Sequence, residues 1–374
     1  MKKTFALALV AAMAGSVCAQ EAMDAKQLFE LGNNQFKEYD KSLGLAAINP
    51  QGVDQNQMGK MLVDGYRYML QALPLDSLPD KKGKVNPKYS KKIANTVVGH
   101  VNDFFNVGGN YYNQKMYYPQ AYEAFLIYAD MPEIPAFAKA AESVNQEQRA
   151  TAYFNAGLAA YSGNAVPESA AAFKKARLNN YEQPEAYIYE IACWQNMAQK
   201  DSTLEAEAQK NINEIAQAGY ARFGVAQPVF LNNLINSMIA DNRSEEALTM
   251  LNKEISANPD NANLYGLLGF TYNRLDKEAE AEAAYRKAAS LPNVDYETLL
   301  RAASRIFRIG TEKLNLIEGN SAEAREKRAK LKTDYFEVAK AYLEKAKGMN
   351  DKPDGLRDNL IESVDYALTT YFPQ

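Results

Sequence analysis

The sequence predicts an all-α fold built from repeated helical hairpins. Three observations support this prediction. A pattern of large and small apolar residues recurs with a period of about 34 residues, and consecutive copies start at Pro228 and Ala262. No stretch shows the period-two alternation that half-buried strands require. Proline also separates the two copies at Asn258-Pro259-Asp260, where it removes a backbone donor and disfavours a helical residue before it. A period of this length is typical of helical-hairpin solenoids, which usually bind partners along a concave surface.

The copy from Ala262 shows the pattern most completely. Its residues are Tyr265, Leu268-Gly269, Tyr272, Ala281, Tyr285, Ala288 and Pro292. The copy from Pro228 runs in the same register and keeps Leu231, Leu234, Ala247, Leu251 and Pro259. Small residues placed opposite large ones allow two antiparallel helices to pack closely, so each copy is expected to form one hairpin.

This spacing resembles the tetratricopeptide repeat. The resemblance implies an all-α helical-hairpin solenoid, coiled as a right-handed superhelix, with a groove that binds protein segments. Further copies are expected from Ala150 and, with about five extra residues inside it, from Pro184. Another begins at Asn102 and gives Phe105, Gly108-Gly109, Tyr112, Ala121 and Phe125. Terminal repeats should match the template less well, because each has only one neighbour.

The predicted organisation has four parts. They are a signal peptide at 1–19, a degenerate N-terminal repeat and linker at 20–92, the solenoid at 93–353 and a C-terminal capping helix at 354–374. The segment from Leu75 to Lys92 is rich in proline and lysine, and it is expected to be a solvated linker, with a basic docking loop as the alternative. The capping helix carries an apolar stripe of Leu356, Leu360, Val364, Ala367, Leu368 and Tyr371.

The N-terminus predicts export. Lys2 and Lys3 precede a short apolar core, and Val17-Cys18-Ala19 forms a small-residue cleavage site with cleavage expected after Ala19. The apolar core is too short to span a bilayer, and no other run suggests a transmembrane segment. A periplasmic or otherwise exported bacterial protein is therefore expected. Attachment of lipid at Cys18 is the less favoured alternative, because the residues before this cysteine do not match a lipoprotein signal.

Composition argues against several functional classes. The chain of 374 residues carries a formal net charge of −4, which becomes more negative when Lys2 and Lys3 leave with the signal, and this disfavours nucleic-acid binding. With His100 as the single histidine, neither a zinc site with histidine ligands nor a convincing Ser-His-Asp triad can be built. Cys193, alone in the mature chain, is expected to be buried. No catalytic residue, metal or cofactor is predicted.

The resemblance implies that positions 2, 5, 9 and 12 of each first helix face the groove. In this sequence those positions are rich in asparagine, whose amide can pair with the backbone of an extended peptide. The predicted ligand-binding residues are Asn106, Asn110, Asn113, Tyr161, Asn232, Asn236, Asn263 and Asn273. The expected ligand is a protein or extended peptide in the bacterial envelope.

Two alternatives to this prediction remain open, and one activity known in the family is not expected. The asparagines could simply solvate an inner helix face. A glycan or envelope polymer could bind to exposed tyrosines, which cluster between Tyr111 and Tyr128. Relatives that bind chaperones hold an acidic chain end with basic groove residues, and only Lys26 was found at such a position, so recognition of acidic chain ends is not expected.

Overall fold

The computed structural model describes residues 23–79 and 82–372. Within these ranges the ordered elements are helices and no strand is present, so the predicted all-α class is confirmed. The predicted signal peptide at 1–19, with Cys18 and the cleavage site, lies outside the described residues. The chain divides into two compact units, Met1–Ile215 and Ala216–Gln374.

The first unit consists of α-helices. Their bounds are α1 Ala25–Ile48, α2 Gln55–Asp76, α3 Ser90–Gly99, α4 Val101–Asn113, α5 Tyr118–Asp130, α6 Gln146–Ser162, α7 Val166–Leu178 and α8 Glu185–Lys200, followed by α9, Glu205–Phe223, within which the division between the units falls.

Hairpins in this unit close where glycine in one helix meets an aromatic side chain in the next. In the α6–α7 hairpin, a Cβ atom added to Gly157 would lie 2.6 Å from the ring of Phe173, which is fully buried. The hydroxyl of Ser169 donates to the carbonyl oxygen of Gly157 at 2.9 Å in the same contact. Glycine is therefore needed here because the partner ring occupies the space of a side chain.

The predicted register of the copy from Asn102 is wrong by one residue. Helix α4 begins at Val101, and Gly108, not Gly109, lies against the ring of Phe125. The buried side chains of α4 are accordingly Phe104 and Tyr111 rather than the neighbouring Phe105 and Tyr112.

The second unit keeps the predicted phase. Its helices are α10 Pro228–Ala240, α11 Ser244–Ala257, α12 Ala262–Arg274, α13 Glu278–Ser290, α14 Tyr296–Asn315, α15 Ala322–Leu331, α16 Glu337–Met349 and α17 Gly355–Tyr371. The first helices of successive hairpins begin at Pro228, Ala262 and Tyr296, at equal intervals along the chain. The period read from the sequence is therefore the period of the hairpins.

The third hairpin of this unit pairs α14 with α16. Ala339, Leu343 and Ala346 of α16 are buried, as expected for a second helix. The charged insertion between the two helices forms α15, whose residues are mostly exposed. A π-helical turn at Lys332–Phe336 joins α15 to α16 and brings Tyr335 over Gly310 of α14.

Hydrogen bonds to Asp76 of α2 hold the C-terminal end of the linker that follows this helix. Asp76 is buried, and its carboxylate accepts hydrogen bonds from the backbone N–H groups of Lys88, Tyr89 and Ser90 at 2.9, 2.9 and 2.7 Å. The hydroxyl of Ser90 donates to the same carboxylate at 2.7 Å. These bonds fix the start of α3, while the lysines at 82, 84, 88, 91 and 92 are exposed to solvent.

The C-terminal helix α17 packs through the middle of its apolar stripe. Val364 and Ala367 are buried, whereas Leu356 and Tyr371 are 69% and 51% exposed. The two ends of the stripe are therefore open to solvent. Within residues 23–79 and 82–372, no helix combines the length and the apolar character that crossing a membrane requires.

Candidate functional site

The first unit has an open cleft of about 600 Å³ between two consecutive first helices, α4 and α6. We call it the α4–α6 cleft. It is lined by Asn102, Phe105, Asn106, Tyr128, Asn145, Glu147, Gln148 and Thr151. Amide and hydroxyl side chains dominate this lining, and they surround two aromatic rings.

Packing and capping hold this lining in place. The ring of Phe105 lies 5.3 Å from that of Phe125 and 5.2 Å from that of Tyr128. At the start of α6, the side chain of Asn145 accepts from the backbone N–H of Gln148, and the side chain of Gln148 accepts from the backbone N–H of Asn145, both at 2.9 Å. This reciprocal cap satisfies helix donors and also orients the Gln148 amide at the edge of the cleft.

The four predicted residues that belong to the first unit do not form one site. Asn106 lies in the α4–α6 cleft. Asn110 and Asn113 are exposed and do not line it. The positions of Asn110 and Asn113 outside the cleft follow from the one-residue change of register in α4. Tyr161 is 43% exposed, with its ring 6.3 Å from that of Tyr189 on α8.

In the second unit, Asn232 and Asn263 line one small pocket between α10 and α12. The side-chain oxygen of Asn263 is buried without a hydrogen-bond partner. The pocket measures about 10 Å³, which is close to the least space that one water molecule needs. These two asparagines therefore lie together, in a space too small for a peptide. Asn236 is exposed elsewhere on α10.

Asn273 lies in a larger cleft of about 480 Å³ in the same unit, which we call the arginine cleft. Its lining is Phe270, Asn273, Tyr285, Glu297, Leu300, Arg301, Ser304, Arg305, Arg308, Leu356 and Leu360. Three arginines of α14 thus lie beside the first-helix face of α12 and beside α17. The Asn273 side-chain oxygen accepts from Nη2 of Arg308 at 3.4 Å.

A third cleft, of about 310 Å³ between α2 and the α4–α5 hairpin, is occupied by paired charges. Arg67 donates to both carboxylate oxygens of Glu123 at 2.8 and 2.6 Å and to Asp64 at 3.0 Å. Burial, with nearby acidic groups, raises the pKa of Tyr111 to about 12, and its hydroxyl donates to the Asn56 carbonyl at 3.0 Å. The charged groups of Arg67, Asp64 and Glu123 are thus paired with one another.

His100 packs against aromatic rings and lies beside a carboxylate. It lies between α3 and α4, with its ring stacked 4.9 Å from that of Phe36 and edge-on to Tyr39 at 5.7 Å. Its Nδ1 is 2.9 Å from a carboxylate oxygen of Asp103. Among the described residues, no group of three or more His, Cys, Asp or Glu side chains could hold a metal ion.

A glycine on a first helix meets an aromatic ring on the second helix in two hairpins, at Gly157 with Phe173 and at Gly269 with Tyr285. The separation along the chain is the same in both pairs, and these are the positions at which the tetratricopeptide template places glycine and an aromatic residue. The fold is that of a tetratricopeptide repeat protein. The all-α helical-repeat fold inferred from the sequence is thus confirmed.

No family model matches the chain, and no curated protein matches it. Solved structures with similarity include a tetratricopeptide repeat protein from Bacteroides fragilis, at 17% identity over 71% of this chain and 97% of that one, with a TM-score of 0.31. Yeast Tom70 aligns at 13% identity over 93% of this chain and 96% of its own, with a TM-score of 0.29.

The arginine cleft was missed in the sequence. Continuing the phase of the copies from Pro228 and Ala262 places Tyr296 at the start of a first helix, which would have put Arg301, Arg305 and Arg308 on one face of it. The insertion that forms α15 separates α14 from its partner α16, and it hides the second half of the template in the sequence.

Proposed function

We propose that this chain is a non-catalytic scaffold that binds a protein or an extended peptide in the cell envelope of a bacterium. The observation that carries the proposal is the α4–α6 cleft. It is open, and it lies between consecutive first helices. Its amide and hydroxyl groups come from Asn102, Asn106, Gln148 and Thr151.

The chemistry of this lining suits an extended backbone. Each amide side chain has two donors and one acceptor, so it can pair with both the N–H and the C=O of a peptide. The half-buried ring of Phe105 provides apolar area between them, and its contacts with Phe125 and Tyr128 limit the entropy lost on binding. Repeat scaffolds commonly use such surfaces for recognition.

The glycan alternative is less favoured by the geometry of the tyrosines. Stacking on a sugar needs exposed rings that share a plane. The Tyr112 and Tyr118 rings are inclined by 61°, and those of Tyr366 and Tyr371 by 89°. Neither pair offers a flat platform.

Location in the envelope rests on the sequence of residues 1–19. The charged start, short apolar core and small-residue cleavage site are the features of a secretory signal. The proposal places the mature chain, from Gln20, in the periplasm or outside the cell, where a partner would meet it.

The proposal is tested by cross-linking and co-purification of residues 20–374 from the native envelope. The variant Asn106→Asp/Gln148→Glu adds two negative charges to the α4–α6 cleft, and glutamate at 148 keeps the capping interaction. Its matched control, Asn110→Asp/Asn236→Asp, adds the same charge at exposed positions outside the clefts. A defined partner retained by wild type and control but lost with the cleft variant would support the proposal.

Other outcomes separate its parts. Loss with Asn110→Asp/Asn236→Asp alone would show that the groove follows the positions predicted from the sequence. Enrichment of polysaccharide without protein, or equal recovery with all three proteins, would reject peptide binding at this cleft.

A further inference from the structure

The arginine cleft contains a buried charge with too few partners. The side chain of Arg305 is 5% exposed. Its Nη2 donates to Glu278 at 3.2 Å, but Nε and Nη1 have no hydrogen-bond partner and no contact with solvent. A guanidinium has five N–H donors, and buried donors are nearly always satisfied. The unmet donors of Arg305 therefore call for an acceptor that the described residues do not supply.

Two further arginines lie on the same face of α14. Arg301 and Arg308 are four residues before and three residues after Arg305, a spacing that aligns side chains along one side of a helix. Their own acidic partners are distant: Glu297 is 3.9 Å from Arg301, and Glu312 is 3.7 Å from Arg308. Both acids are more than half exposed, and so is Glu278. The pairs of Arg301 and Arg308 are exposed on both sides, so they contribute little to stability.

The rest of the cleft combines apolar side chains with the amide of Asn273, the hydroxyl of Ser304 and the carboxylate of Glu297. The guanidinium of Arg301 lies 5.9 Å from the centre of the Phe270 ring. Leu356 of α17 lines the cleft while 69% exposed, so it leaves apolar area uncovered. Asn273 adds an amide that an extended backbone can use. A positive centre flanked by apolar side chains and an amide thus lies in a chain whose net charge is negative.

We infer that the arginine cleft binds the carboxylate of an acidic side chain within an extended peptide, with an apolar neighbour of that residue against Leu356 and Phe270. Arginine is suited to this task because its planar guanidinium matches a carboxylate and stays charged. The carboxylate would take the place of the exposed glutamates and supply acceptors to Arg305. The inference rests on the proposed function in assuming a peptide ligand, but it uses a different cleft.

The test uses residues 20–374 and three short probes, whose dissociation constants are measured by isothermal titration calorimetry for the wild type and for every variant. The probes are acetyl-Leu-Glu-Leu-amide, its neutral analogue acetyl-Leu-Gln-Leu-amide, and acetyl-Leu-Gln-Leu as the free acid. The glutamate amide should bind at least about tenfold more tightly than the glutamine amide, and this ratio should fall as salt is added.

Two variants locate the site, and a third serves as control. Arg305→Met should remove the preference for glutamate. If this variant fails to fold, Arg301→Gln/Arg308→Gln, at two half-exposed positions, should lower the preference by about three- to tenfold. Arg243→Met, at an exposed arginine paired with Glu246, should leave it unchanged.

Three results would overturn the inference. They are equal or absent binding of the glutamate and glutamine amides, binding of the free acid alone, and a loss of preference with Arg243→Met as large as with the cleft variants. If the probes do not bind as expected but the α4–α6 cleft still captures a partner, only the proposal for the arginine cleft is rejected. If the glutamate probe binds but no partner is captured, the proposed scaffold function is rejected and the arginine site is retained.

Discussion

A Cβ atom on Gly108 would lie 2.8 Å from the ring of Phe125, whereas one on Gly109 would meet no atom within 4 Å. This contrast fixes the rotation of α4 about its axis. It places Phe104 and Tyr111 in the core and leaves Phe105 at the α4–α6 cleft. The surface available for binding therefore depends on which of two adjacent glycines faces the second helix.

Gly108→Ala should lower the free energy of unfolding by about 1–3 kcal/mol, because the added methyl group overpacks the contact with Phe125. Gly109→Ala should raise it by about 0.5–1 kcal/mol, since alanine loses less backbone entropy in a helix and space is available. Urea unfolding of both variants gives the comparison. A larger loss for Gly109→Ala would show that the register of α4 is misassigned.

Asp76 should make the free energy of unfolding depend on pH in the acidic range. Burial alone would raise the pKa of its carboxyl, but hydrogen bonds from the Ser90 side chain and from the backbone of Lys88, Tyr89 and Ser90 outweigh burial and lower the pKa below its ordinary value of 3.8. Because the folded-state pKa is the lower one, the stabilisation is complete above the unfolded-state pKa. It is lost as pH falls through the folded-state pKa.

Asp76→Asn should therefore cost about 2 kcal/mol near neutral pH, where a charged acceptor is removed. The cost should shrink as the solution is acidified below pH 3.8. Thermal melting across pH measures this, with Asp260→Asn at an exposed position as the control. A cost that does not change with pH would show that the carboxylate charge is unimportant.

A buried ion pair links α7 to α8. Nε of Arg177 donates to Glu190 at 2.8 Å, and both side chains are nearly inaccessible to solvent. Glu190→Ala should cost about 3–5 kcal/mol, because Arg177 would remain buried with only the exposed Glu214 at 3.7 Å. Replacing both partners, as Arg177→Met/Glu190→Leu, should cost less than the single change.

The control for this pair is Glu214→Ala. Its side chain is 59% exposed, so the effect should stay within about 0.5 kcal/mol. Chemical denaturation gives all three values. If Glu190→Ala proved as mild as Glu214→Ala, the pair would contribute nothing to the stability of the first unit.

If the chain is exported, its signal peptide should be cleaved after Ala19. Mass spectrometry of the full-length chain expressed in a Gram-negative host should find a mature form that starts at Gln20 in the periplasmic fraction. Ala19→Arg should block cleavage, because the site requires a small residue. A lipid-modified form starting at Cys18 would favour the lipoprotein alternative, and an uncleaved chain in the cytoplasm would reject export.

The sequence predicted the helix register correctly where a template position could be matched by only one residue. The helices starting at Pro228 and Ala262 were predicted at the residues where they begin. The copy from Asn102 was misread because α4 contains the doublets Phe104-Phe105, Gly108-Gly109 and Tyr111-Tyr112. Two registers then fit the template equally well, and only contact with Phe125 decides between them.

The binding surface was less predictable than the fold. Asn106 lies in the α4–α6 cleft, and Asn273 lies in the arginine cleft. Asn110 and Asn236 are exposed outside the clefts. The cleft that contains Arg305 is also lined by Leu356 and Leu360 of α17, which follows α14 only after two further helices of the chain. Helical periodicity carries no information about such distant packing, so its missing partners are visible only in the structure.

Site-specific photo-crosslinking is the most direct test of partner binding at the α4–α6 cleft. A photoreactive phenylalanine analogue would replace Asn106 in this cleft or Lys174, an exposed residue of α7, in cells that express the full chain. The account predicts a defined protein adduct from position 106 and none from position 174. No protein adduct at 106, or the same adducts from both positions, would contradict it.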